Sequence, residues 1–455
     1  MTDRSKAGLA LGLLFAVNTL NFFDRQILGA VGETIRNEWK LSDTALGTLG
    51  TAFIILYAVV GVPLGRLTDK ISRKRILAAG VTVWSLFTVL SGLAAGYTQL
   101  FLARLGVGVG EASCAPASTS LIGDFFPAQK RAKALSVFML GLPIGIALSF
   151  AASSWFAAEF GWKSAFYIAG IPGLICALVA LTIHEPHRGA SEIHDTRGLK
   201  REGSPYLLVL SIPTMWWIIA SGALHNFNMY ALGAFLSPFL QRVHNLSQFK
   251  AGIISMITYG LSGVPGLIVG GLVGDSITRR KANGRLVVAS AALLISAPGV
   301  FFALGRPVGE VAPFTILMSI GCASMYVYYS TVYSTIQDII EPSLRGTAMA
   351  IYFFAMYVLG AALGPVGMGA LSDFFFKRAS AGQPIAQMTK AELAAYAAQG
   401  LHSALYVIPV FGVLLALILF AGSRTVKKDM AKLNEWMRES AAKAPAAEAV
   451  VEAGD

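Results

Sequence analysis

The chain has 455 residues, of which 55% are hydrophobic and only 13% are charged. A soluble protein of this length needs a larger charged surface, so the composition excludes an ordinary soluble enzyme or a string of soluble domains. The net charge of +11 does not indicate nucleic-acid binding, because the Lys and Arg residues lie in joints between apolar segments instead of forming one basic face. The sequence predicts an integral membrane protein.

Twelve apolar segments, spans 1 to 12, are long enough for a bilayer-crossing helix of about 20 residues. Span 1 begins near Ala7 and is too long for a signal-peptide core, so we expect it to remain in the mature protein. The predicted limits of the spans are 7–31, 43–66, 76–97, 99–121, 134–157, 163–183, 211–240, 250–274, 286–305, 312–336, 346–374 and 401–422. The predicted fold class is therefore an all-α polytopic membrane protein with about twelve transmembrane helices.

Cysteine and histidine spacing gives no sign of a cross-link or a metal centre. Cys114, Cys176 and Cys322 lie inside apolar segments at unrelated spacings, which predicts neither a disulfide framework nor a metal site. The three His residues of the polar joint after span 6 are irregularly spaced, so we interpret that joint as a solvated linker.

Basic residues alternate between successive joints. They cluster near the N-terminus and in the joints after spans 2, 4 and 8 and after span 12, whereas joints such as 97–99 carry little charge. The positive-inside rule then predicts two cytoplasmic termini, in a plasma membrane or a bacterial inner membrane.

The predicted domains are an N-terminal six-helix bundle (1–183), a cytoplasmic linker (184–204), a C-terminal six-helix bundle (205–422) and a cytoplasmic tail (423–455). The tail is predicted to start as an amphipathic helix on the membrane surface and to end in a disordered stretch.

Two joints repeat one another. The joint after span 2 reads GRLTDKISRK and the joint after span 8 reads GLVGDSITRR, with matching residues 206 positions apart. Asp124 and Arg131 before span 5 likewise match Asp338 and Arg345 before span 11, 214 positions apart. The two matches predict duplicated six-helix halves.

The repeated joints are predicted to form a cytoplasmic gate. A carboxylate there can pair with a helix N-terminus or an Arg and hold spans together in one conformation. The alternative is that the basic residues only set the topology. The residues of the predicted gate are Asp69, Arg73, Lys74, Asp275, Arg279 and Arg280.

Span 1 carries charges in the middle of an apolar segment, which makes them candidates for a functional site. Asn21, Asp24 and Arg25 can share one broad helical face directed at a cavity between the halves. The alternative is a structural ion pair that fixes helix packing.

Span 4 carries a second charged pair. Arg104 and Glu111 are seven residues apart, so they lie on one face separated by roughly 10 Å. Gly108, on that face, allows a neighbouring helix to approach closely, which could bring Asp24 near Arg104 or Glu111.

These charges form the basis of a proton-coupling hypothesis. Burial and a neighbouring arginine have opposite effects on the proton affinity of a carboxylate, so a change of partner between two conformations would link proton movement to the transport cycle. Asp24 and Glu111 are the predicted proton sites, and Arg25 and Arg104 are their predicted partners and the ligands of a substrate head group.

The C-terminal half contributes polar and aromatic groups without buried carboxylates. Together with Asn21, the predicted cavity residues are His225 and Asn226 of span 7 and Tyr329 of span 10. An aromatic half facing an arginine-rich half suits an amphiphile with an anionic head and an apolar tail.

The joint GRLTDKISRK resembles the loop signature of the major facilitator superfamily, with Ser72 in place of the usual second glycine. The motifs NFFDR, GEASCAPASTSLIGDFFP, FGWKSAFYIAGIPG and EPHRG resemble the spinster family of lipid transporters within it. The resemblance covers nearly the whole chain. It implies two pseudo-symmetric six-helix halves around a central site, a functional role for Asp24, Arg25, Arg104 and Glu111, and proton-linked movement of sphingoid phosphates or lysophospholipids.

The competing functions are less well supported by the motifs. No catalytic triad, metal-spaced His cluster or phosphate-binding glycine loop favours an enzyme, and no ring-forming repeat favours a channel. The main alternative is a proton-coupled organic-anion symporter, because a similar Asp-Arg pair occurs in such symporters. We expect protons as the coupling ion, no cofactor, membrane lipids as surroundings, no nucleic-acid partner and a monomer.

Overall fold

The computed structural model describes residues 3–68, 70–126, 128–187, 204–341, 344–381, 383–384 and 387–452. These residues form an all-α membrane protein, as predicted. Seven spans are single helices, with the following limits: span 1 Asp3–Trp39, span 2 Asp43–Thr68, span 3 Arg73–Leu93, span 6 Lys163–Thr182, span 7 Pro213–Val243, span 9 Gly284–Leu304 and span 10 Val311–Ile339.

The other five spans consist of consecutive helical segments. Span 4 is Tyr97–Glu111 and Cys114–Phe125, and span 12 is Lys390–Leu405 and Val407–Glu452, whereas a short helix, Pro205–Leu210, precedes span 7. Spans 5, 8 and 11 each contain one π-helical segment: span 5 is Ala128–Met139, Gly141–Leu148, π Ser149–Ser153 and Ser154–Phe160; span 8 is Gln248–Ser255, π Met256–Leu261 and Gly263–Thr278; span 11 is Arg345–Ala355, π Met356–Ala361 and Leu363–Ala379. Such widened turns occur frequently at functional positions.

Ten of the helices in the described ranges are long and apolar enough to cross a membrane. Spans 4 and 7 are the two that fall short. Span 4 is divided into helices of 15 and 12 residues, and span 7 has 31 residues but includes His225, Asn226 and Asn228. The two spans with the weakest membrane signal are thus two of those that carry candidate site residues.

The bundle has two distinguishable ends. We name the end that carries the joint between spans 2 and 3 the terminal end, because Asp3 lies there, and the end that carries the joint between spans 1 and 2 the far end. Span 1 packs on span 7, span 2 on span 11, and span 5 on span 8.

Glycine permits the closest of these contacts between the halves. A Cβ atom on Gly47 would lie 2.6 Å from the carbonyl carbon of Pro365, and one on Gly260 would lie 2.7 Å from the Cα of Ala147. Gly47 lies in the part of span 2 nearest the far end, so the two halves meet tightly on that side of the bundle.

The tail continues the last helix of span 12. The helix Val407–Glu452, the second segment of span 12, extends through the tail and includes residues for which the sequence predicts disorder. Asp429 accepts hydrogen bonds from the backbone N–H and the hydroxyl of Thr214, at 3.0 and 2.6 Å. The first turns of the tail are therefore fixed to the start of span 7, where a carboxylate stabilises the helix N-terminus. Most of the predicted linker, residues 188–203, lies outside the described residues.

Candidate functional site

Two buried ion pairs connect spans 1 and 4. Arg104 Nη1 donates to Asp24 Oδ1 at 2.6 Å, and the Thr88 hydroxyl of span 3 donates to the other carboxylate oxygen. Arg25 Nε donates to Glu111 Oε2 at 2.9 Å. No side chain of either pair is more than 3% exposed. The structure thus brings together the four charged residues that the sequence singles out, and it assigns each carboxylate one arginine.

Close helix packing positions the charges of span 4. A Cβ atom on Gly108 would lie 2.5 Å from the carbonyl oxygen of Phe53 in span 2, and one on Gly110 would lie 2.6 Å from the carbonyl oxygen of Gly80 in span 3. Span 4 can therefore lie deep against spans 2 and 3, which directs Arg104 and Glu111 toward span 1. Glu111 is the last residue before the break in this span.

Arg25 is the point at which the two halves meet in the middle of the bundle. Its Nη1 lies 3.3 Å from the Tyr357 hydroxyl and 3.4 Å from the Tyr230 hydroxyl, both of the C-terminal half. Three rings of the N-terminal half lie with their centroids 4.5–5.4 Å from its Cζ: Tyr57, Phe22 and Phe53. Aromatic faces attract a guanidinium, so this aromatic box holds Arg25 in place beside Glu111.

A run of aromatic contacts continues from the box into the C-terminal half. Phe353 lies 6.5 Å from Tyr357 and 5.6 Å from Tyr333, between ring centroids. Tyr333 in turn lies 5.7 Å from Tyr329, and Tyr329 lies 4.8 Å from His225. The partly exposed rings form a continuous weakly polar wall.

His225 ends this wall and is fully buried. Its ring stacks on Tyr328 at 4.0 Å, and neither ring nitrogen has a hydrogen-bond partner among the described residues. Asn226 donates to the carbonyl oxygen of Gly222 in its own helix, which is an ordinary packing role.

Unsatisfied polar atoms surround the ion pairs. Asn21 Nδ2, Arg104 Nε and Glu111 Oε1 are buried and have no hydrogen-bond partner within the described ranges. Buried polar atoms are normally paired, so these three mark places where water or a ligand group can bind.

The predicted gate residue Asp69 lies outside the described residues. Arg73 is buried and its guanidinium pairs with Asp124, while Glu185 accepts from the Arg73 backbone N–H at 2.8 Å and from the Ser72 hydroxyl at 2.5 Å. Lys74 donates to the carbonyl oxygen of Ile183 at 3.1 Å. These contacts tie spans 3, 4 and 6 together inside the N-terminal half, and Glu185 of the EPHRG motif is the carboxylate that caps span 3.

Glu185 has a lowered pKa as a result. Burial raises its pKa, but the hydrogen bonds from Ser72 and Arg73 and the charge of Arg73 outweigh burial and bring the pKa below its ordinary value of 4.5.

The C-terminal half has a matching cluster built from a different arginine than predicted. Arg285 pairs with Asp338 and, at 2.7 Å, with Asp275, whereas Arg279 and Arg280 are exposed. Arg285 occupies the first turn of span 9 as Arg73 occupies the first turn of span 3. The sequence repeat misses it because the joint after span 8 is longer, so the 206-residue offset ends before span 9 begins.

A charged network at the far end was not predicted. Arg242 of span 7 donates to Glu33 of span 1 at 2.5 Å and to Asp43 of span 2 at 2.8 Å. Arg36 lies 2.9 Å from Asp43, and Ser372 of span 11 donates to Asp43 at 2.6 Å. This far-end network joins four spans from both halves.

Asp373 adds a further contact to the far-end network. Its carboxylate accepts from the backbone N–H groups of Asp43 and Thr44, at 3.0 and 2.9 Å, and so caps the start of span 2.

Comparison with known proteins identifies the family. The model of the Major Facilitator Superfamily matches residues 14–365. The chain belongs to the major facilitator superfamily. It is 30% identical over 402 residues to protein spinster homolog 1 of Mus musculus, an alignment that covers 82% of this chain and 74% of that protein. It is 29% identical over 372 residues to an MFS-type efflux pump of Mycolicibacterium smegmatis, with 81% and 85% covered.

A solved structure supports the same assignment. The crystal structure of a bacterial homolog of the human lysosomal transporter spinster, inward-facing and unoccupied, matches this fold with a TM-score of 0.82 at 28% identity, covering 93% of this chain and 98% of that one. The protein is a spinster-like transporter of the major facilitator superfamily and not an enzyme.

Proposed function

We propose that this spinster-like transporter moves amphiphilic anionic lipids, of the sphingoid phosphate or lysophospholipid class, by alternating access coupled to protons. The observation that carries the proposal is the position of Arg25, which bonds Glu111 on one side and faces two tyrosine hydroxyls of the opposite half on the other. A cation at the meeting point of the halves is suited to hold an anionic head group.

The charge balance supports coupling to a proton. Asp24 and Glu111 carry two negative charges and Arg25 and Arg104 carry two positive charges, so the buried cluster is neutral with every charge paired. An anion that bound Arg25 would have to compete with Glu111. If Glu111 takes a proton, the Arg25 guanidinium becomes available to the anion, and one proton accompanies one negative charge.

The aromatic wall supports an apolar tail on the substrate. Rings from Tyr357 to Tyr329 lead away from Arg25 through the C-terminal half and expose weakly polar faces. A short hydrophilic anion would leave this surface unused, whereas an alkyl chain would cover the faces of the rings and shield them from water.

The orientation follows from charge. The basic joints, which include Arg75 and Arg280, lie at the terminal end, and the positive-inside rule makes that end cytoplasmic. In this orientation, the tight contact between the halves at Gly47 lies on the side of the bundle away from the cytoplasm. We infer a monomer in a plasma membrane or a bacterial inner membrane.

The test is uptake of fluorescent lysophospholipid and sphingoid phosphate into proteoliposomes, with and without an imposed pH gradient. We expect the gradient to accelerate lipid flux in the wild type, and we expect Glu111→Gln to remove the acceleration. Glu159→Gln is the matched control, because Glu159 is exposed near the far end of span 5.

Two outcomes would contradict the proposal. Gradient-driven flux that survives in an Asp24→Asn, Glu111→Gln double variant means that neither carboxylate is the proton site and that both ion pairs are structural. Competition by small dicarboxylates but not by lysolipids identifies an organic-anion symporter instead.

A further inference from the structure

A crevice separate from the buried ion pairs opens between spans 2, 3 and 4, in the part of the N-terminal half toward the terminal end. Its volume is about 370 Å³, which is within the range of small-molecule binding sites. Leu67 and Ile71 at its rim are 39% and 47% exposed, so the crevice is accessible from the surroundings of the bundle.

The lining is apolar apart from two polar side chains. Leu64, Ile76, Ala79 and Val83 are among the side chains that form its walls, and Arg75 and Ser113 are the polar side chains of the lining. Arg75 is exposed and belongs to the first turn of span 3, at the level of the basic joint. Along span 3, the distance from Arg75 to Val83 is about 12 Å at 1.5 Å per residue.

We propose that this crevice binds one acyl chain of an anionic phospholipid from the leaflet at the terminal end, with its phosphate on Arg75. The apolar walls exclude a hydrophilic ligand, since they offer it almost no hydrogen bonds. A guanidinium is suited to bidentate phosphate binding, and basic pockets between transmembrane helices are recurrent sites for acidic lipid head groups. The depth of the crevice fits a chain lying along span 3.

The floor of the crevice gives the bound lipid a role. Val109, Gly110 and Ser113 line it, and these residues flank Glu111 at the break in span 4. The acyl chain therefore contacts the backbone on either side of the residue that holds Arg25, although the carboxylate itself faces span 1. Occupancy of the crevice restrains the break and with it the position of Glu111.

Native mass spectrometry of the full-length protein tests the proposal, with phosphatidylglycerol or phosphatidylcholine added to the detergent at equal concentration. We expect one phosphatidylglycerol to be retained per chain and at least tenfold less phosphatidylcholine. Arg75→Gln and Ala79→Phe should each reduce retention at least tenfold, because the first removes the phosphate ligand and the second fills the crevice. Gel filtration checks that both variants are folded.

Matched controls separate the crevice from general lipid binding. Lys281→Gln removes an exposed cation from the corresponding joint of the C-terminal half, and Leu178→Phe changes a 68% exposed side chain on span 6. Both should retain the lipid as the wild type does. Equal loss in variants and controls, or no loss in either crevice variant, would overturn the proposal.

The variant Arg25→Gln distinguishes a lipid bound in the central site from a lipid bound in the crevice. Retention that disappears in this variant but survives in Arg75→Gln would place the lipid on the proposed transport path and refute the crevice site. Retention that survives Arg25→Gln and disappears in Arg75→Gln supports the crevice whether or not the transported substrate is a lipid.

Discussion

Replacing Arg242 by glutamine should open the far end of the bundle. Arg242 makes four hydrogen bonds, two to Glu33 at 2.7 and 2.5 Å and two to Asp43 at 2.8 Å each. Its side chain is 5% exposed, and those of Glu33 and Asp43 are 8% and 3% exposed. Loss of one partner from a buried charged set costs about 3–5 kcal/mol.

The lower end of that range applies, because Arg36 still lies 2.9 Å from Asp43 and continues to neutralise it in part. The cost falls on the conformation that is closed at the far end, since opening returns both carboxylates to water. A difference of about 3 kcal/mol changes the equilibrium between the two conformations by roughly a hundredfold. If the wild type favours far-end closure by less than this factor, Arg242→Gln will be mainly open.

Paired spin labels at Thr98 and Val308 would measure the change, because these residues lie at the far end of opposite halves. We expect a single short distance in the wild type and a dominant longer distance in Arg242→Gln. Arg306→Gln is the matched control. Arg306 lies 3.7 Å from Glu310, and the two side chains are 35% and 48% exposed. Such surface ion pairs contribute about 0–1 kcal/mol to stability. Identical distance distributions in the two variants would refute the reasoning.

Three further predictions concern stability. Arg104→Ala should lower the free energy of unfolding in detergent by about 3–5 kcal/mol, because Asp24 is left buried without its cation; a loss below 1 kcal/mol would contradict a buried ion pair. Arg285→Gln should cost about 1 kcal/mol, since its partners are partly exposed, and the exposed Arg279→Gln should cost less than about 0.5 kcal/mol; equal losses would remove the distinction between the two arginines. The third prediction concerns Glu185, whose folded pKa lies below 4.5. Its stabilisation of the protein relative to Glu185→Gln should be constant above about pH 5 and should disappear as the pH falls through the folded pKa. Thermal unfolding between pH 3 and pH 8 measures this difference, and a difference that changes between pH 6 and pH 8 would contradict the lowered pKa.

The charged residues of spans 1 and 4 could be found from the sequence because charges are rare inside apolar membrane-spanning segments. A charge inside an apolar segment is expensive, so Asp24 and Arg104 stand out from their surroundings without any knowledge of the fold. Their pairing could not be derived from spacing alone, which left Asp24 near either Arg104 or Glu111. The structure resolves that choice, because Arg104 donates to Asp24 at 2.6 Å whereas Glu111 accepts from Arg25 at 2.9 Å.

The far-end network could not be found in the same way. Glu33 and Arg36 follow residue 31, where the loss of apolar character predicts the end of span 1, yet the helix continues to Trp39. Charged residues near helix ends are common and have a low energetic cost, so they do not indicate a functional site until their partners are known. The partner Arg242 is 209 residues away from Glu33 along the chain, and only the packing of span 1 on span 7 brings the two together.

The position of both ion pairs within one half has a consequence for the energy of the conformational change. Across the middle of the bundle, Arg25 is held to the C-terminal half by two long contacts to hydroxyls, at 3.3 and 3.4 Å, while its ionic contact to Glu111 stays within the N-terminal half. The C-terminal half can therefore swing away without pulling opposite charges apart in a medium of low polarity. Electrostatic work at the midplane is therefore nearly independent of the swing, so the aromatic surface of the C-terminal half can be altered by mutation without separating either ion pair.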